Sequence, residues 1–325
     1  MDDEIVLQMT VYGVFDMKGS LKISVLIPAY KRNFLKKAIE SVLCQSYVSF
    51  ELIIVDDCSP EKLDEIVESF HDERIRYYKN KENIGGINVV ENWNKCLEYA
   101  EGEYVLCMGD DDELLPNCLL DYVGLIEKFP MLEVYHMRTY IVDENSNIIG
   151  IQEARAEWES VYSLMWHRWN GCKQFIGDFL FRKDSLVNRG GFFYLPTACC
   201  SDDISVVMAA KDHGIANTYR PGFLYRDNNR TISNDLSNLR DRYQALVIAQ
   251  SWYESFLIEV PNDSLDQQYQ IALKKMLDGY IGRMKEYCMK TDIGMSGLEG
   301  ARYWLSHRKF YGLSLKRIIR ALICQ

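Results

Sequence analysis

Three consecutive carboxylates, Asp110-Asp111-Asp112, follow the apolar run 104–108. Like charges about 6 Å apart repel by roughly 3 kcal/mol per pair at an effective dielectric of about 20, so the run is costly to assemble at a strand end. A divalent cation removes that repulsion. Mg2+ or Mn2+ held by one or two carboxylates usually completes its shell with phosphate oxygens, so the run points to a cation bridging to a diphosphate. The competing reading is a solvated acidic turn before the helix that follows Pro116. A second pair, Asp56-Asp57, closes the apolar run 50–55 and can accept hydrogen bonds from a base N–H or a ribose hydroxyl. Two acidic groups at strand ends favour a nucleotide pocket over two unrelated turns. Farther along, Arg226 and Arg230 can hold diphosphate oxygens or form surface ion pairs.

The elements that must position these groups follow from hydrophobic periodicity. Residues 23–28 read as a short strand, and 34–45 carry Leu35, Ala38, Ile39, Val42 and Leu43 at helical spacing. The unit repeats with a strand at 50–55 and a helix opened by Ser59-Pro60. Strands are expected at 74–78 and 104–108, and a helix at 88–99, where Trp93 falls into the core stripe with Val89 and Leu97. Continuous apolar strands alternating with amphipathic helices predict an α/β fold with a mainly parallel sheet flanked by helices. Ligands in such sheets bind beyond the carboxyl ends of the strands, where both acidic groups fall. A helix at 116–129, a hairpin from 132–142 and 148–152, a strand at 175–181, a helix at 201–211 and a strand at 216–225 complete the expected sheet region. The stretch 158–170, rich in Trp and Tyr, gives no clear period. Beyond Ser233 the pattern becomes helical, over 236–259, 264–289 and 297–323.

The balance of 37 Lys and Arg against 47 Asp and Glu gives a net charge of -10, which offers no footprint for a nucleic-acid backbone. The ten cysteines contain no C-x-x-C pair and read as reduced core residues; with five histidines they supply no zinc spacing. The acidic start, Asp2-Asp3-Glu4, lacks the features of a secretory signal, and no apolar run reaches the ~20 residues of a membrane span, so a cytoplasmic protein is expected. Residues 311–323 mix Lys316, Arg317 and Arg320 with Leu313, Leu315, Ile318, Ile319, Leu322 and Ile323. Such a segment either packs as a terminal helix or lies peripherally on an anionic bilayer at its inner face.

Several stretches together resemble the family 2 glycosyltransferases of GT-A fold, over residues 23–233. They are Ile23 through Tyr30, Glu51 through Ser59, Asn83-Ile84-Gly85, Gly102 through Asp112 with Pro116, and Gly190-Gly191-Phe192-Phe193 followed by Ser201-Asp202-Asp203. Two positions depart from the family pattern: Cys58 replaces a glycine, and Gly109 replaces the first Asp of an Asp-x-Asp-Asp form. The resemblance implies that Pro28, Ala29 and Tyr30 lie against the nucleotide base, and that Asp56, Asp57, Asn83, Gly85, Asp110 and Asp202 serve the nucleotide sugar. It assigns metal ligation chiefly to Asp111, supported by Asp112, with Asn228 where many members carry a His. Asp203 becomes the general base, a role that asks for a carboxylate within hydrogen-bond reach of the acceptor hydroxyl. Asp202 and Asp203 read equally as a stabilising pair in the first turn of a helix.

The expected organisation is an N-terminal extension (1–21), a GT-A domain (22–233) and a helical C-terminal region (234–325). The expected activity is an inverting transfer from a nucleotide-diphosphate sugar, a UDP-hexose by family frequency, to a saccharide or lipid-linked saccharide in cell-surface polysaccharide synthesis, with Mn2+ or Mg2+. Two other readings stay open. One is a non-catalytic nucleotide-sugar-binding scaffold. The other is a sugar-phosphate nucleotidyltransferase, which would need a glycine-rich loop where this chain has Pro28-Ala29-Tyr30-Lys31-Arg32-Asn33.

Overall fold

Residues 21–86, 88–228 and 235–323 are described by a computed structural model. Most of the N-terminal extension, Arg230 and Ser233 lie outside the described residues. The first apolar run forms β1 (Ile23–Ala29), whose Ile23, Val25, Leu26 and Ile27 are fully buried because helices cover both faces. The amphipathic segment forms α1 (Leu35–Leu43), burying Leu35, Ala38, Ile39 and Val42 at spacings of three and four. Next come β2 (Phe50–Asp56), a short α2 (Asp64–Val67), β3 (Ile75–Lys79), α3 (Val89–Glu98) and β4 (Tyr104–Cys107). The Asn88 side chain caps α3 by accepting the N–H of Glu91 at 3.0 Å.

After β4 the chain makes β5 (Glu113–Leu114), α4 (Cys118–Lys128), β6 (Val134–Val142) and β7 (Ile148–Ile151). β6 and β7 pair antiparallel as the expected hairpin. The stretch without a clear period divides into β8 (Trp158–Glu159) and α5 (Val161–Trp169), whose aromatic rings are split between sheet edge and core. The strand expected at 175–181 begins instead with a 3-10 turn, Ile176–Asp178, before β9 (Phe179–Arg182). Then follow α6 (Lys183–Asn188), α7 (Ser201–Ala210) and β10 (Ile215–Arg226).

The strand order is β3-β2-β1-β4-β9-β6-β10-β5, with β7 on β6 and β8 on β10. β3-β2-β1-β4 and β6-β10 are parallel, whereas β9 runs antiparallel between β4 and β6. One apolar layer lies under α1 and α4; the other joins α3, α5 and α7 to the C-terminal helices.

Those helices are α8 (Leu239–Phe256), α9 (Ser264–Ser306) and α10 (Leu315–Ile323). α9 takes in the helix expected at 264–289 and the first part of the one expected at 297–323, whose end is α10, and it kinks at Gly297, where φ is 55° and ψ -126°. Glycine adopts that conformation without a Cβ penalty. Trp304, fully buried, donates Nε1–H to Asp292 Oδ2 at 2.7 Å across the break. Among the described residues no helix is long and apolar enough to cross a membrane. Cys96, Cys107, Cys118, Cys200 and Cys288 are buried free thiols, but Cys44, expected in the core, is exposed on the last turn of α1.

Candidate active site

The parallel ladder places the acidic groups side by side. Ala29 on β1 pairs with Asp56 on β2, and Leu26 pairs with Cys107 on β4, so the turns after all three strands leave from one edge. Hydrogen bonds then tie the turns together. Asp110 Oδ2 accepts the backbone N–H groups of Tyr30 and Lys31 at 2.7 and 2.6 Å. The Ser59 hydroxyl donates to the Tyr30 carbonyl at 2.6 Å, and Asp56 Oδ1 accepts the Ser59 N–H at 2.7 Å. Pro28 and Ala29 hold the strand end beneath, while the Tyr30 ring is 41% exposed.

Asp56 is fully buried, with Oδ2 facing the Tyr77 hydroxyl at 2.7 Å and Lys79 Nζ at 3.1 Å. Asp57 organises the following loop: Oδ1 accepts from Asn80 Nδ2 (2.8 Å) and Ile84 N–H (2.9 Å), and Oδ2 from Gly85 N–H (2.6 Å). Asn83 closes that loop by accepting the Gly86 N–H. Both carboxylates of the pair therefore shape the edge from within.

In the acidic turn, burial and the charge of Asp111 raise the Asp110 carboxyl to about 6 and push Asp112 well above the usual carboxylate range. Asp112 points inward, its oxygens accepting the N–H groups of Arg226 (3.0 Å) and Gly109 (3.2 Å). Gly109 is a close fit. A Cβ there would meet Asp111 Oδ1 at 2.8 Å and Asp112 Oδ2 at 2.9 Å, so the absent side chain leaves room for the two carboxylates that follow. Arg226 is fully buried and spends its guanidinium on the carbonyls of Asp111 (2.9 Å) and Asp143 (2.8 Å), on the Ser146 hydroxyl and on the Glu113 carboxylate, over the Phe34 ring. These contacts make it a staple of the acidic turn.

Asp111 is the half-exposed member, and its Oδ2 accepts from Asn228 Nδ2 at 2.9 Å. No group of three or more His, Cys, Asp or Glu side chains forms a cation cage among the described residues. One exposed carboxylate beside an amide, with a buried carboxylate behind, fits a hard cation that draws most of its ligands from phosphate and water.

A second acidic cluster opens α7. The turn before it is fixed by Asn94, which accepts the Phe192 N–H at 2.8 Å, and by Ser201 and Ser205, which accept from Leu195 and Phe193. Burial and neighbouring Asp203 raise the Asp202 carboxyl to about 7. Asp203, 4% exposed, accepts Arg168 Nε–H at 2.7 Å on Oδ1, while its Oδ2 has no hydrogen-bond partner. Asp203 and Gln174, whose Nε2 also lacks a partner, line one cavity of about 10 Å3, room for one water. Between the clusters stands buried Asp178, bonded to Thr139, Gln152 and the Phe175 N–H. Burial is the main cause that raises Asp178 to about 7, and the charge of Asp202 adds to it; Asp178 in turn raises Asp112. The two acidic groups thus act electrostatically on one common carboxyl.

The Glycosyl transferase family 2 model matches residues 24–196, more than half of the chain and every strand end just described up to β9. The chain belongs to glycosyl transferase family 2. Among family relatives, it is 42% identical over 106 residues to WcaA of Escherichia coli, which carries a provisional colanic acid biosynthesis glycosyl transferase name; the match covers 32% of this chain and 37% of that one. It is 38% identical over 101 residues to the GalNAc(5)-diNAcBac-PP-undecaprenol beta-1,3-glucosyltransferase of Campylobacter jejuni, covering 30% and 32%. The chain thus spans about a third of the length of these relatives. The S. aureus TarS 1-349 structure in complex with UDP-GlcNAc superposes with a TM-score of 0.61 at 17% identity, over 93% of this chain and 82% of that one, which shows the GT-A fold.

In this family 2 chain, sequence reasoning missed Arg168 and Asp178. Arg168 lies in the stretch without a clear period, and Asp178 sits inside what read as an apolar strand, so neither spacing nor clustering marked them.

Proposed function

We propose that this family 2 chain is an inverting glycosyltransferase that moves a sugar, from a UDP-hexose, to a hydroxyl of a saccharide or lipid-linked saccharide in cell-surface polysaccharide synthesis, working at the cytoplasmic side of the membrane. The observation that carries the reading is the joining of the β1, β2 and β4 turns through Asp110, Tyr30 and Ser59, which builds one continuous edge from three strand ends. The base would lie against Pro28, Ala29 and Tyr30, and the loop held by Asp57, Asn83 and Gly85 would flank the ribose. Asp203 would take the proton of the acceptor hydroxyl as that oxygen attacks the anomeric carbon, and the electron pair of the breaking C–O bond would leave on the diphosphate. Asp202, half protonated near neutrality, would face the sugar. Asp111 and Asn228, backed by Asp112, would hold Mn2+ or Mg2+, which when bound supplies positive charge for the leaving diphosphate. TarS with bound UDP-GlcNAc favours a UDP-linked donor, and the undecaprenol-linked substrate in the Campylobacter relative's name favours a lipid-linked acceptor.

The test is a panel of sugar nucleotides incubated with Mn2+, Mg2+ or a chelator and scored by released nucleoside diphosphate. Release from one UDP-sugar that needs the cation, and is lost in Asp203→Asn, supports the reading. Donor binding with no turnover under any condition would leave a nucleotide-sugar-binding scaffold instead.

A further inference from the structure

The last segment of the chain has a charge opposite to the rest. Six Lys or Arg residues and no Asp or Glu follow Glu299, in a protein of net charge -10. Arg302, Arg308, Lys309, Lys316 and Arg317 are all exposed. Among the described residues, no carboxylate forms an ion pair with Arg308, Lys309, Lys316 or Arg317, whereas Arg240, Arg226 and Arg168 in the interior each have one.

The same segment presents apolar side chains from a fixed base. Trp304 and Tyr311 pack on Tyr243 with ring centroids 4.8 and 4.9 Å away, and Tyr303 and Tyr311 share a hydrogen bond between hydroxyls at 3.0 Å. On α10, Ile318 (0% exposed) and Ala321 (1% exposed) form one stripe three residues apart, buried against the protein with Leu313. Leu315 and Ile319, four residues apart, form the neighbouring stripe, and they are 47% and 45% exposed. Phe310, in the preceding turn, is 70% exposed. With 3.6 residues per turn, Lys316 borders the stripe of Leu315 and Ile319, whereas Arg317 falls on the opposite face, near Tyr243 and Lys285. Half of the apolar arc of α10 is therefore used by the fold and half is left open, bordered by cations. A helix with an open apolar stripe beside a basic flank is suited to lie in the headgroup region of an anionic bilayer.

We infer that Phe310, Leu315 and Ile319, with Arg308, Lys309 and Lys316 around them, form a docking face for a membrane surface bearing anionic lipid headgroups. The apolar side chains enter the boundary between headgroups and acyl chains, while the cations contact lipid phosphates. Interior packing of Ile318 and Ala321 keeps the helix parallel to the protein surface, so the contact is peripheral. Its test is independent of turnover.

The test is cosedimentation of the full chain with vesicles of phosphatidylcholine alone and of phosphatidylcholine mixed with phosphatidylglycerol. The chain should bind the mixed vesicles, bind far less to the neutral ones, and release as salt is raised. K309E/K316E and F310S/I319S should each lower the partition coefficient by about tenfold or more, with the thermal midpoint and donor turnover unchanged because all four side chains are exposed. Equal binding to both vesicle types, binding by the variants at the full level, or no binding at all would overturn the proposal. So would sedimentation equilibrium showing a dimer that these substitutions dissociate, which would give the face to a second copy of the chain.

Discussion

The carboxylate of Asp110 accepts the backbone N–H of Tyr30 at 2.7 Å, joining the turn after β4 to the turn after β1 across 80 residues of sequence. Lys31 donates to the same oxygen at 2.6 Å, so one carboxylate fixes two successive amides of the loop proposed to face the base. Asp110→Asn keeps one acceptor oxygen for the two donors but removes its charge. A charge-assisted bond contributes about 1.5–3 kcal/mol, so KM for the donor should rise about tenfold or more, read from initial rates over a donor series. An unchanged KM would show that the loop is held by other contacts.

Asp203→Asn should lower kcat by at least about a hundredfold while calorimetry finds donor affinity unchanged, since a general base acts on the acceptor proton alone. Arg168→Ala removes the guanidinium that holds Asp203 Oδ1 and frees that carboxylate to turn. It should lower kcat more than it raises donor KM, and Arg168→Lys should restore part of the loss. Equal loss in kcat and donor affinity in Arg168→Ala would mark a general structural role.

Arg226 is the largest buried cation of the site, paired with Glu113 and bonded to two carbonyls. Arg226→Met removes the partner of half-buried Glu113 and the donor to the Asp111 and Asp143 carbonyls, which costs about 1.5–3 kcal/mol, visible as a lower urea midpoint with an unchanged slope. Little change in the midpoint would mean that water replaces the guanidinium.

At Gly109, where the family pattern carries an Asp, a side chain collides with Asp111 and Asp112. Gly109→Ala should raise the KM for both donor and cation by displacing those carboxylates, with little change in kcat. Improved cation use in Gly109→Asp would contradict this view of the turn.

Glu51 supplies a pH test of the sheet. Burial would raise its carboxyl, but Ser24 (2.6 Å), the Glu101 N–H (2.7 Å), Arg76 and Lys22 outweigh that and hold it at about 2. A depressed folded value contributes stability that is present above the unfolded value, about 4.3, and is lost as pH falls toward 2. The shift corresponds to about 3 kcal/mol, so Glu51→Gln should lower the urea midpoint at pH 7 and flatten the loss of stability between about pH 4.3 and 2. A parallel pH profile in the variant would place the acid sensitivity elsewhere.

Much of the β-α alternation was legible because strands buried on both faces must be apolar throughout, and helices on a sheet must show a stripe every three to four residues. The strand-end position of Asp56-Asp57 and Asp110 to Asp112 followed from the same runs. The division of 158–170 was not legible, because β8 is two residues long and α5 is buried on much of its surface, which erases the period. The break before the last expected helix was legible by contrast: Gly297 leaves the helical region and kinks α9 there, and Trp304 bonded to Asp292 holds the two halves together.

By itself the sequence determined the order of elements, the acidic strand ends and the basic, apolar C-terminal segment, since each is local and written in adjacent residues. Only the tertiary structure decided what each charged group faces. Arg226 turned inward to staple the acidic turn, Asp112 turned onto backbone amides, Asp203 met Arg168, and α10 buried one apolar stripe while leaving the next open. Those outcomes depend on partners from 35 to more than 100 residues away, brought close by packing, and side-chain spacing along the chain carries no record of them.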